Sequence, residues 1–441
     1  MWNRMRALLM LLLVALLLPS QAAASLQDVV DAADDFKALL STSQINELEQ
    51  PFTESLAEKW SNLPCGSSCR NGLGFGDLDD EQLEAAKAVI RTAAGTALSE
   101  GYSEFWQVVT ADSLLGTVAG NNYSKDLYFI SFLNSPSTSS PWMLQYGGHH
   151  IAVNIAYNGA TIGGTPMFVG VEPTSWTNGL ATATLENEHD ALAAMLAGLS
   201  ASELSQAALS GSFSDVVLGP GRDGEFPLTP SGIACSNLTA SQQELVLTAM
   251  DFYLDDLDAE SAAWLRGIYE SELADTYIGY KGTGTSGVPS SFLASHADYV
   301  RIDGPSVWIE FVCQNGVVFN QIHYHSVWRD EERDYGDYLT ATTSIDEDPV
   351  DSSSQSVLAL SNYPNPFRSA TTVAFTLREE ANVRLDVFDP SGKKVETLAS
   401  NVLSPGAHAV EWNASDVPGG VYFCRLQAGS EVVTQRMLDV R

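Results

Sequence analysis

The chain has 441 residues, 55 of them acidic and 22 basic, for a formal net charge of -33. That balance argues against nucleic acid and anionic lipid as partners. With 45% hydrophobic residues and only seven lysines, the acid excess reads as a solvated surface over a true core, not as a disordered polyanion.

In chain order, residues 1–24 come first. Arg4 and Arg6 precede an apolar run from Leu8 to Leu18 and a small-residue stretch at Ala22, Ala23 and Ala24, the three parts of a secretory signal peptide. The run is shorter than the roughly 20 residues a membrane span needs. A protein working outside the cytoplasm is therefore expected, with no membrane insertion after cleavage.

Residues 26–343 read as one α+β body. "SLQDVVDAADDFKALLSTSQINELEQPF" and "DDEQLEAAKAVIRTAAGTAL" carry apolar residues at helical spacing, with Asp77, Asp79 and Asp80 as cap candidates for the second. Between them, Cys65 and Cys69 in "PCGSSC" are close enough for a local loop disulfide in an oxidising compartment. Cys235 and Cys313 could pair if the fold brings them together, leaving Cys424 over; alternatively all three are buried small apolar residues. Strand-like "LYFISFL", "WMLQYGGHHIAVNIAY" and "PMFVGVEP" follow, then a helical block from "LENEHDALAAMLAGLS" to "AESAAWLRGIYESEL". The strands "DYVRIDGPSVWIEFVC" and "GVVFNQIHYHSVWRD" close the body. Without regular βαβ alternation, a mixed or antiparallel sheet with helices on one side is expected. The acidic "SIDEDPVDSSSQSV", residues 344–357, reads as a linker. Short alternating runs between Pro, Gly and Asp turns then predict a small all-β sandwich over residues 358–441.

Four of the seven histidines fall in two strand-like stretches. His323 and His325 are two apart and share a strand face, their Cα atoms roughly 6 to 7 Å apart. His149 and His150 would face opposite sides unless Gly147 and Gly148 form a bulge. With a regular pleat His150 sides with Ala152 and Asn154, and His149 becomes a core or supporting group beside Ile151 and Val153. Were the two stretches neighbours, His150, His323 and His325 would offer three nitrogen ligands to a divalent metal of zinc or iron type. A carboxylate from Glu172, Glu186, Glu188 or Asp330 would complete the shell, with Glu186 or Glu172 alternatively serving as base and Arg329 orienting an anionic group. The competing readings are a hydrogen-bonded polar cluster or chance placement, and for Arg329 and Arg333 salt bridges to Asp330, Glu331, Glu332 or Asp334. "GTGTSG", Gly282 to Gly287, opens no helix and reads as a loop, not a dinucleotide site. The expected function is a metal-dependent hydrolase of an extracellular substrate; the alternatives are a binding protein without turnover and a structural envelope component.

Two resemblances extend this reading. "LSNYPNPFRSATTVAFTL", "VRLDVFDPSGKKV" and "GVYFCRLQAGSEVVTQRMLDVR" resemble the C-terminal sorting domain of proteins exported by the type IX (Por) secretion system, an Ig-like module related to the flagellar hook-capping fold. The resemblance implies that the secretion machinery is the partner of this tail. "QYGGHHIAVNIAYNG", "LENEHDALAAMLAGLS", "DYVRIDGPSVWIEF" and "HYHSVWRDEERDYG" resemble the uncharacterised bacterial family domain of unknown function 3500. It implies no catalytic assignment, and it implies that body and tail are separate units. "PCGSSC" stands where a longer charged segment would be expected. Oligomeric state is open at this level.

Overall fold

The structure, a computed structural model, describes residues 24–337 and 357–439 apart from short gaps at 121, 178–180, 320, 378–380, 389–392, 416 and 429–430. The expected signal peptide, Ala24 apart, and the expected linker, Val357 apart, lie outside the described residues. The chain divides into two compact units, residues 1–344 and 345–441.

The first unit is an α+β body built from one run of elements used twice. The first run comprises helices α1 (Leu26–Ala38) and α2 (Thr42–Leu48), strand β1 (Leu73–Gly74), helices α3 (Asp80–Ala93) and α4 (Tyr102–Ala119), and strands β2 (Phe129–Leu133), β3 (Trp142–Gly148), β4 (Ile151–Tyr157) and β5 (Met167–Val171). The second comprises α5 (Glu186–Ala197), α6 (Ala201–Ala207), β6 (Ile233–Ala234), α7 (Ala240–Leu254), α8 (Ala259–Glu272), β7 (Tyr277–Lys281), β8 (Tyr299–Asp303), β9 (Val307–Asn315) and β10 (Ile322–Asp330). The sheet runs β1-β2-β3-β4-β5-β10-β9-β8-β7-β6, every neighbour antiparallel, so the two copies meet at β5 and β10. Short parallel pairings are added in matching places: Glu49 opposite Phe132 in the first copy, Ala208 opposite Tyr280 in the second. The sheet is mixed in that sense.

Local contacts repeat as well. Ser41 and Ser200 cap α2 and α6 in capping boxes, and Asp79 and Thr239 do the same for α3 and α7. Of the three candidate aspartates, Asp79 is thus the cap. The Gln82 amide donates to the Leu39 carbonyl at 3.0 Å, and the Gln242 amide to that of Gly198 at 3.0 Å.

The two faces of the sheet differ. Toward the helices, Leu144, Tyr146, Ile151, Val153, Val169, Ile309, Phe311 and Trp328 join one large core. The alternate residues carry Gln145, Asn154, Glu172, Arg301, Glu310, His323, His325 and Arg329, all buried. Strand geometry makes that alternation compulsory, so a polar layer lies beneath the segments 51–72 and 210–232. Those segments satisfy it: Gln145 donates to the Ala57 carbonyl at 2.8 Å, and Glu310 accepts from the Val217 and Leu218 amides at 2.6 and 2.8 Å. Cys65 and Cys69 form a disulfide in the first of them, while Cys235, Cys313 and Cys424 are buried free thiols.

The second unit is all-β, with seven strands among its described residues, from Val357 to Asp439. Along the strand Ala381–Phe388, Ala381, Val383, Leu385 and Val387 turn inward onto Trp412, Leu426 and Met437. Among the described residues, no helix is long and apolar enough to cross a membrane.

Candidate metal centre

Gly148 pairs with Ile151 across the β3–β4 hairpin, leaving His149 and His150 as its two-residue turn. The expected strand alternation therefore does not apply to them, and no bulge is involved. His150 takes a left-handed φ of 67°, a conformation that favours glycine. It is held there because its amide donates to the Asn62 carbonyl at 3.3 Å and its own carbonyl accepts the Gly170 amide at 2.6 Å. Arg70, beside the disulfide, steadies the same turn by donating to the Gly148, Ser61 and Leu63 carbonyls. Burial pushes this guanidinium down to about 10.

From this turn His150 meets the two histidines of β10. Ring centroids lie 5.3 Å from His323 and 5.5 Å from His325, and one nitrogen of each ring lies within 4.8 Å of the others. Gly170 makes the meeting feasible: a Cβ there would fall 2.8 Å from His325 Cδ2 and 3.2 Å from His150 Cδ2. Each ring is anchored through Nδ1. His150 contacts Asp112 Oδ1 at 3.2 Å, His323 the Asn315 carbonyl at 3.2 Å, and His325 Asp215 Oδ1 at 2.8 Å. Acceptors on Nδ1 fix the tautomer whose Nε2 lone pair is free, the usual arrangement behind metal-ligating histidines.

The His323 and His325 Nε2 atoms stand 2.8 Å apart. With both Nδ1 atoms donating, two bare lone pairs would face each other unless one ring carried a second proton or a cation lay between them. Burial and the neighbouring His325 push His323 down to about 3, and burial holds His150 well below the ordinary imidazole range. Nitrogens in a tetrahedral zinc shell are about 3.3 Å apart, so opening this contact by roughly half an ångström would fit one ion. The donor set suits zinc or iron.

Asp112 supports the pair at the turn. It sits on the buried stripe of α4 with Phe105, Val108 and Leu115, and its Oδ1 also contacts His149 Nδ1 at 2.9 Å while Oδ2 accepts from Tyr128 at 2.7 Å. Burial alone would raise this carboxyl, but the hydrogen bonds and charges of the two histidines outweigh it and hold it at about 2. His149 is the more accessible member, packed edge-on to Tyr123 and bordering a surface recess with Pro64, Gly66 and Ser124.

The other expected residues lie elsewhere or are engaged. Glu172 is buried 3.9 Å from His323 Nδ1, but its oxygens accept the amides of Val317, Val318 and Phe319 at 2.6 to 3.0 Å, so it anchors a loop and is not a free base. Glu186 is exposed on the first turn of α5, near Tyr324, whose side chain joins the helix-side core while His323 and His325 point to the other face. The sheet separates it from the histidines. Arg329 is sheathed by Asp334 at 2.7 Å, Asp223 at 2.8 Å and the Leu218 carbonyl, which leaves no guanidinium edge for an anionic ligand. Arg333 pairs with Asp330, and Glu188 lies in a different cluster. Sequence reasoning missed Asp112, Asp215, Tyr128 and Arg70. For Asp112 a signal existed: an acid at a core position of an otherwise apolar helical stripe.

Comparison with known proteins gives two matches. The family model described as "Protein of unknown function (DUF3500)" covers residues 22–337, and the one described as "Secretion system C-terminal sorting domain" covers residues 361–439. No curated protein matches the chain.

Proposed function

Because the chain belongs to the DUF3500 family, whose description states no activity, we propose a function from the site itself: an exported protein whose body binds one divalent cation of zinc or iron type through His150, His323 and His325. Export follows from the sorting tail, which marks the protein for the type IX secretion system and for the cell surface or the medium. The observation that carries the metal reading is the convergence of three imidazoles, each with Nδ1 on an acceptor, around a 2.8 Å contact between Nε2 atoms. A bound cation would supply Lewis-acid polarisation of a ligand oxygen. Asp112, Asp215 and the Asn315 carbonyl orient the rings, and the covering segments keep bulk water from them.

Metal analysis of untagged protein tests this. About one zinc or iron per chain is expected in wild type and none in His325→Ala with an unchanged fold by circular dichroism; a metal-free wild type that takes up neither ion on titration would remove the proposal. Hydrolysis of an extracellular substrate is a second reading, favoured by His149 at the recess beside the triad, where an imidazole could take or give a proton. His149→Gln should then abolish turnover in a hydrolase panel while metal content stays whole. Turnover in neither protein, with metal present, would leave a binding role.

A further inference from the structure

A second cluster of chemistry-bearing groups lies on the helix side of the sheet. Glu100 and Glu104, at the start of α4, Glu188 on α5 and Asp256, just after α7, are each 1 to 5% exposed, and oxygens of Glu100, Glu104 and Asp256 lie within 4.8 Å of one another. Carboxylates are almost never fully buried without a partner. Here the partners are few: Asp256 Oδ1 accepts the Gly101 amide at 2.6 Å, and Glu100 Oε1 accepts from Asn187. Glu100 Oε2 and Glu104 Oε1 are buried with no hydrogen-bond partner. Burial is the largest cause in each of the four and raises them all; neighbouring acids add to it, Asp255 at Glu100, Glu188 and Asp256 at Glu104, and Glu100 at Glu188 and Asp256, while a hydrogen bond between Glu100 and Glu188 holds Glu100 down.

The surroundings are tightly packed: Glu104, Asp256 and Gly101 meet Tyr146, Ile151, Val153, Met167 and Val169 with no room for a water molecule between them, so an ion here would be held by the carboxylates directly. Tyr146 is 5% exposed, and the charges of Asp256 and Glu104 act on its hydroxyl. Tyr253 reaches the same acids from α7. Oxygens no more than 4.8 Å apart match the span of two trans ligands at about 2.4 Å from calcium. An all-oxygen, multiply anionic set selects hard cations and not the zinc or iron suited to imidazole.

We propose that Glu100, Glu104, Glu188 and Asp256 form a buried site for a hard divalent cation of the calcium class, which ties the start of α4 to α5 and to the end of α7. This site is independent of the histidine centre, and it joins the two copies of the repeat from the helix side: Glu100 and Glu104 belong to the first, Glu188 and Asp256 to the second. Its role is structural. The cation's two positive charges offset half of the four negative ones and fix helix termini that otherwise repel one another.

The test uses the full chain in 0.15 M NaCl, with chelator or with millimolar Ca²⁺, at neutral pH. In wild type, Ca²⁺ should raise Tm by several degrees, and Tb³⁺ should bind with luminescence sensitised by Tyr146 and Tyr253. Glu104→Gln should lose both responses yet melt, in chelator, no lower than wild type, because one repelling charge is gone. Glu84→Gln, an exposed acid on α3, should behave as wild type and so separates the site from calcium on the acidic surface. A wild-type Tm indifferent to Ca²⁺, or an equal response in Glu104→Gln, would overturn the proposal and leave carboxyls that share protons. Zinc content at the histidines should be the same in all three proteins, so failure here is distinguishable from failure of the other centre.

Discussion

Single atoms decide whether the histidines can meet. Gly170 leaves no room for a methyl group between His150 and His325, so Gly170→Ala should cost about 1 to 3 kcal/mol by overpacking and weaken zinc binding at least tenfold in a competition titration. Gly267, on α8, has nothing within 4 Å of a built Cβ, and its alanine variant should instead gain about 0.5 to 1 kcal/mol. Asp330 offers a pH test. Burial raises its carboxyl to about 6 despite Arg333 and the Tyr269 hydroxyl. A folded value above the unfolded one means that this group's contribution is whole below about pH 4 and lost as pH rises through 6, by at most about 3 kcal/mol. Urea unfolding of wild type and Asp330→Asn from pH 4 to 7.5 should show wild type losing ground to the variant over that window. At this scale the sequence was half legible. His323 and His325 announce a shared face by their spacing, and the nearness of His150 follows only if strands far apart in sequence adjoin. Glu172 and Glu186 looked equivalent as acids, because nothing local says that one is consumed by three amides and the other lies across the sheet.

The elements themselves were more legible than their order. Periodicity and caps located the main helices, and period-two runs located β3, β9 and β10. The hairpin turn at His149 and His150 was not read, since a turn without Asn-Gly or Asp-Gly lacks the usual signal. The covering segments 51–72 and 210–232 have little regular structure and so left little trace, yet they satisfy the polar face of the sheet. Glu310 shows how. It accepts four donors, the amides of Val217 and Leu218, the Trp308 indole at 2.6 Å and the Tyr299 hydroxyl at 2.7 Å. Glu310→Gln turns an amide NH₂ toward some of these donors and should cost about 3 kcal/mol. Limited proteolysis should then cut first near Arg222, within the segment it holds.

Across the whole molecule, the sorting tail and the body are separate compact units. A chain ending at residue 344 should show the same melting transition for the body as the full chain, and cell fractionation should find it retained inside the cell envelope, not at the surface. The duplication escaped the sequence reading because what the copies share is the order of elements, the helix caps and the strand pairing, none of which is a run of repeated sequence. The histidine pair is confined to one copy: His323 and His325 are on β10, and its antiparallel partner β5 sets Gly170 opposite His325 and Phe168 opposite Val327.

The seam between β5 and β10 means that either copy, cut free, would present a bare strand edge of unpaired amides and carbonyls. Residues 24–177 expressed alone should cover that edge with a twin of themselves, giving a twofold homodimer by sedimentation. Such a dimer would restore the continuous sheet but bring Phe168 and Gly170 to both sides of its axis, and it should bind no zinc.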